Sequence, residues 1–318
     1  MIQTLLIALG AGAASALLVA TVATGSALSV PLFYLAPLPV LIVGLGWSQM
    51  SALIAASAAA VGLGVLFGVE LLVAYVAGVG LPAYALAYLT LMARPNPTSG
   101  ELEWFPVGRL VLAAAILGSL AVAALIPLVA GDVEAYQAAL KSLMTSMLQE
   151  RAGELPPDAD RLTDFLVLVM PPAAAVLTMV TQLGNLWLAG RVARTSGRLM
   201  RPWPDLASLT LPRGAIVLFG AAIGIAALMS GFVGLIAETL SATLIMAFAF
   251  AGLAVVHATT RGAAGRTLVI ATVWLAALVL GWPFAVLAML GVADLFLDLR
   301  ARMRNRRPPG SPPAANDL

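Results

Sequence analysis

Residues 164–202 read DFLVLVMPPAAAVLTMVTQLGNLWLAGRVARTSGRLMRP, and this stretch decides the fold. An apolar run of bilayer-spanning length ends at Arg191, with Arg194, Arg198 and Arg201 behind it. A hydrocarbon core about 30 Å thick takes about 20 such residues in a helix. Arginines that close such a run mark its cytoplasmic edge. Pro171 and Pro172 sit inside the run, followed by Thr178, Thr181, Gln182 and Asn185 at helical spacing. All four therefore share one face. Side-chain amides in hydrocarbon need partners, so the stripe has two readings. It either bonds helix to helix, or it forms one wall of a ligand cavity. In the second reading the carbonyls that the prolines free at Val167 and Leu168 point into the same space.

Working outward, the whole chain has this character. Its 318 residues are 61% apolar and 10% charged, against roughly 25% charged in soluble domains. Apolar runs recur with polar gaps between them, which predicts an all-α, polytopic transmembrane bundle of about 8–10 segments, including a broken or re-entrant one. The net charge of +2 is clustered at membrane edges and does not point to nucleic acid. There is no cysteine, which excludes disulfides and thiolate chemistry. No GxxxxGK(S/T), HExxH or GxSxG motif occurs. The expectation is a protein that is not an enzyme and holds no cofactor or metal.

The first run, Ile2 to Thr24, repeats small residues at Ala8, Gly12, Ala16 and Ala20. Such a ridge lets another helix approach closely, either from within the protein or from a partner membrane subunit. The second run carries Pro31, Pro37 and Pro39 and is read as kinked or re-entrant. Two further runs form a hairpin with Glu70 at its turn. Residues 94–109 are a connector, and one span follows. The polar segment 131–163 reads as an amphipathic helix on Leu140, Leu143, Met144, Met147 and Leu148. Through Asp164 it holds three basic residues against seven acidic ones. Beyond the 164–190 span lie a basic connector to Arg213, a hairpin closed by Arg261 and Arg266, and an apolar run split at Gly281-Trp282-Pro283. Residues 1–299 are read as one integral membrane domain and 300–318 as a disordered, arginine- and proline-rich tail.

The connectors 94–109, 191–213 and 261–266 and the tail hold 14 of the 17 basic residues. Placing them inside puts the 131–163 segment outside and the C-terminus in the cytoplasm. Glu70 and Glu238 then fall near the outer edge, either lining a vestibule or sitting as solvated turn residues. His257 belongs near the inner edge. Asp294, Asp298 and Arg302 are spaced for an ion-pair ladder along one helix. The arginine-rich connectors also attract anionic lipid, at about 1 kcal/mol per basic residue near the surface.

The stretches MPPAAAVLTMVTQLGNLWLAGRVARTSGRLMRPWPDL, GLAVVHATTRG and LGVADLFLDLR resemble the YybS-like family of uncharacterised bacterial inner-membrane proteins. That resemblance implies membrane location and no assigned chemistry. A more distant similarity is to the S components of energy-coupling-factor vitamin transporters, whose first helix docks a coupling subunit through an alanine-rich every-fourth-residue face. It implies docking through Ala8, Gly12, Ala16 and Ala20. Two functions are carried forward. One is a transporter or substrate-binding subunit for a small organic solute, with Thr178, Thr181, Gln182, Asn185, Glu70 and Glu238 as ligand candidates. The other is a non-transporting scaffold or assembly factor.

Overall fold

The computed structural model describes residues 2–152, 159–300 and 302 and is helical almost throughout. Among the described residues seven helices are long and apolar enough to cross a membrane, and three apolar helices are shorter. The chain is thus an all-α, polytopic membrane protein, as expected. Its contacts cluster into two units.

The first unit comprises 1–105, 113–203 and 221–243. It begins with α1 (Ile2–Ala20), followed by α2 (Ser29–Tyr34) and α3 (Pro37–Gly46). The break between α2 and α3 falls where Pro37 cannot donate a backbone hydrogen bond. Next come α4 (Gln49–Phe67) and α5 (Val69–Tyr75), joined at Gly68 with φ +98°. Glu70 is exposed in the first turn of α5. A π-helical turn at Val76–Gly80 leads into α6 (Leu81–Leu91). The small-residue ridge is used inside the chain. Ala8 is fully buried, and a Cβ on Gly12 would meet the Ala55 carbonyl oxygen of α4 at 2.5 Å. Ala16 and Ala20 are half-buried beside the cluster of Val19, Ala36, Ala59, Leu63 and Tyr75.

The connector holds two strands that the pattern did not foretell. In this hairpin β1 (Ala93–Pro95) pairs antiparallel with β2 (Leu102–Trp104). Asn96 Oδ1 nucleates the turn by accepting from the Thr98 and Ser99 N–H groups. Helix α7 (Val107–Ala130) precedes α8 (Val133–Ala152) and α9 (Ala159–Thr195). The 37 residues of α9 span about 55 Å at 1.5 Å each. That exceeds the hydrocarbon core, so its acidic start or basic end extends into water. The amphipathic helix exists, but its buried face is narrower than expected. Leu140, Met144 and Leu148 are half-buried, while Leu143 and Met147 are exposed. Lys141 ties α8 to α9 by donating to Asp164 at 2.6 Å, with Asp160 at 3.7 Å.

The second unit comprises 106–112, 204–220 and 244–318. It contains parts of α7, α10 (Gly214–Leu228) and α11 (Gly231–Thr259), with α12 (Arg266–Leu280) and α13 (Pro283–Leu297). Gly252 lies against the Leu287 carbonyl and Gly291 against the Phe248 carbonyl, so two helix backbones touch with no side chain between them. The expected ladder from Asp294 through Asp298 to Arg302 does not form. Helix α13 stops at Leu297, and Asp298 turns left-handed at φ 46°. Asp294 pairs instead with Arg300 at 2.7 Å, and Arg300 also donates to the Ala207 and Leu209 carbonyls. His257 is half-buried near the end of α11. Of the proline-rich tail, only Arg300 and Arg302 lie within the described residues.

Two predictions follow from this packing. Gly12→Ala should cost about 1–3 kcal/mol by overpacking, whereas Gly10→Ala, with nothing within 4 Å, should be neutral or mildly stabilising in denaturant titration. The hydrogen bond to Asp164 raises the Lys141 ammonium above its ordinary value of 10.5. Its hold on α8 is therefore complete below that value and lost as pH rises through the raised one. Limited proteolysis of α8 should accelerate at that alkaline limit in the wild type. In Lys141→Ala cleavage should already be fast at neutral pH.

Candidate functional site

The first unit has a polar centre where α2 meets α3 and where the π turn meets α6. In both places proline removes an N–H that a helix needs. At the first, Pro37 offers no donor, and the Leu38 N–H turns to Leu35 O at 3.0 Å, leaving Tyr34 O to other partners. At the second, Pro82 lies four residues beyond Gly78, so α-helical register gives Gly78 O no partner. Both carbonyls are met by α9. Asn185 Nδ2 donates to Tyr34 O at 2.7 Å and to Thr181 O at 2.8 Å. Gln182 Nε2 donates to Gly78 O at 3.1 Å.

These carbonyl partners fix which end of each amide is NH₂. The other ends are then committed. Gln182 Oε1 and Asn185 Oδ1 are buried, and neither has a hydrogen-bond partner among the described residues. Gln182 is 3% and Asn185 5% exposed. An unmet acceptor in such a place costs about 1–3 kcal/mol, so two of them one helical turn apart need an explanation.

A second pair of side chains closes the centre. Ser15 Oγ donates to Ala36 O at 2.7 Å and lies 2.8 Å from the Tyr75 hydroxyl. Since the single serine proton goes to the carbonyl, Tyr75 donates to Ser15. Gly80 is where the Tyr75 ring lies: a Cβ there would meet Cε1 at 2.9 Å. The sequence reading missed Ser15 and Tyr75. The available signal was Ser15 lying beside the small-residue ridge and a lone tyrosine just ahead of Gly78 and Gly80.

The other candidates are not part of this centre. Thr178 bonds its own helix at Ala174 O, and Thr181 contributes only its carbonyl. Val167 and Leu168 line an open cleft of about 490 Å³ beside Lys141 and Asp164. They lie some 14 residues, or about 21 Å, along α9 from Gln182. The expected sharing of one cavity between the proline-freed carbonyls and the stripe therefore does not occur. Glu70 is exposed and Glu238 half-buried, and among the described residues no hydrogen bond or ion pair joins them to the amides. The first unit also holds an unforeseen bond between helices, Ser119 Oγ to Thr239 Oγ1 at 2.7 Å.

A protein-family model described as "Predicted membrane protein (DUF2232)" matches residues 13–295. No curated protein and no solved structure matches the chain.

The hydroxyl pair predicts an asymmetry. Ser15→Ala strands the Tyr75 hydroxyl and should cost about 1–3 kcal/mol. Tyr75→Phe leaves the bond from Ser15 to Ala36 intact and should cost less than about 1 kcal/mol. Equal costs in equilibrium unfolding would show that Tyr75 does not depend on Ser15.

Proposed function

From the premise that the chain belongs to the DUF2232 family of predicted membrane proteins, which is the YybS-like family, we propose that it is a non-enzymatic, solute-binding membrane protein. It acts as a transporter or as the substrate-binding subunit of one. We place it in a bacterial cytoplasmic membrane with its arginine-rich connectors and C-terminus inside, where they gather anionic lipid. The observation that carries this reading is the pair of unmet acceptors, Gln182 Oε1 and Asn185 Oδ1, facing helix interruptions. Broken helices at bilayer depth are the usual material of transporter binding sites, and π turns often mark functional positions. A small organic solute with N–H or O–H donors satisfies both oxygens at once. Its entry requires α9 to part locally from the α2–α3 break, at the cost of two amide bonds.

The scaffold reading rests on the same amides, because their NH₂ groups already tie α9 to two other helices. In that reading the amides are structural glue worth about 0.6 kcal/mol per contact, and no solute matters. As for a coupling subunit, Ala8 and Gly12 are covered by α4, so a partner on α1 would meet the exposed leucines Leu5, Leu6, Leu9 and Leu17.

The test is a thermal-shift screen of the protein in nanodiscs against vitamins, amines and polyols. At least one should stabilise it, reaching about 2.7 kcal/mol at a hundredfold excess over its Kd. Gln182→Leu should abolish that response while keeping helical circular dichroism. A screen in which nothing shifts the transition, together with wild-type behaviour of Gln182→Leu, would overturn the solute reading.

A further inference from the structure

Arg191 and Arg194 lie in the last turns of α9, and Arg198 and Arg201 follow just beyond it. No Asp or Glu occurs between Asp164 and Asp205. Arg201 is only 8% exposed, and among the described residues its guanidinium makes one bond, a long 3.4 Å contact from Nη1 to Thr90 O. Burial lowers its guanidinium from the ordinary value. Arg191 and Arg194 lie over the Trp203 ring at 5.6 and 5.4 Å, and Arg198 over Trp47 at 4.5 Å. None of these three makes a hydrogen bond or ion pair from its guanidinium among the described residues. A guanidinium stacked on an indole keeps its in-plane N–H edge free.

Helix dipoles do not cancel this charge. Gly44 of α3 packs against Ala87 of α6, so the carbonyl ends of these helices, near Trp47 and Thr90, sit where Arg198 and Arg201 reach. Three such ends, counting that of α9, supply roughly −0.5 each. Against four guanidiniums that leaves a surplus of roughly two to three positive charges. The tryptophans hold the donors in place, so little ordering remains for a ligand to bear.

We propose that Arg191, Arg194, Arg198 and Arg201, held by Trp47 and Trp203, form a binding site for a phosphate-bearing anion, with Arg201 as its buried anchor. The ligand is a lipid phosphate headgroup or a free phosphate, since either presents the oxygens that guanidinium edges match. This deepens the anionic-lipid part of the proposed function and is independent of the solute site.

The experiment measures binding of the full-length protein in neutral detergent to phosphatidylglycerol, phosphatidylcholine and inorganic phosphate by native mass spectrometry and thermal shift. Phosphatidylglycerol should bind in preference to phosphatidylcholine. A matching response to inorganic phosphate would identify the free ion as a sufficient ligand; a response to the lipid alone would identify the headgroup as membrane-borne. Arg201→Gln should weaken binding about tenfold, the size of one charge-assisted bond. The exposed pair Arg191→Gln/Arg194→Gln should weaken it at least as much. Arg266→Gln removes the same charge in the other unit and should change nothing. If all variants lose equally, the site is refuted and diffuse attraction of anionic lipid remains. If phosphatidylglycerol and phosphate bind no better than phosphatidylcholine, both ideas fall.

Discussion

A bilayer has no water to offer a stranded carbonyl, and two are left in the first unit: Tyr34 O, because the Leu38 N–H turns to Leu35 O, and Gly78 O, because Pro82 has no N–H. Everything near its centre answers that demand. Tyr34 O and Gly78 O are satisfied from α9, which places Gln182 and Asn185 inward and fixes the rotation of a 37-residue helix. Once α9 is set, its basic end is set with it. The arginine–tryptophan cluster therefore depends on the same two backbone defects as the polar centre.

Elsewhere the packing uses almost no polar chemistry. Apolar side chains gain little by leaving lipid for each other, so close backbone approach has to supply the attraction. Gly12 on Ala55, Gly118 on Ala175, and Gly252 on Leu287 are all of this kind. Against that background the few buried polar groups stand out as choices. Most are satisfied locally, as when Thr163 and Thr90 bond their own preceding turns. The two amide oxygens on α9 are not, and that contrast turns the centre from glue into a candidate for recognition.

Much of this was legible in the chain itself. Apolar run lengths foretold the spans, Pro37 the break in the second, and Gly281–Pro283 the last division, because each acts over a few residues. The stripe on α9 was found by spacing, but not which members would matter. Spacing gives a shared face, while the choice of Gln182 and Asn185 over Thr178 depends on where Tyr34 and Gly78 arrive from more than a hundred residues away. The failed ladder at Asp294 shows the same limit. A one-residue left-handed turn at Asp298 handed the carboxylate to Arg300, and nothing in the i, i+4 spacing records that. Ser15 with Tyr75, and Arg201 with Thr90, are long-range pairs of the same sort. The strands at 93–104 were hidden by length, since three residues carry too little alternation to read.

The π turn at Val76–Gly80 holds one residue more than a regular helix would need. It therefore works as a phase shifter: each side chain downstream is rotated by about 100° from where an uninterrupted helix would carry it. Ala83, Leu86, Ala87 and Thr90 face inward only because of that surplus residue. The segment can thus be lengthened or shortened by one position only at the expense of the entire inner face of α6.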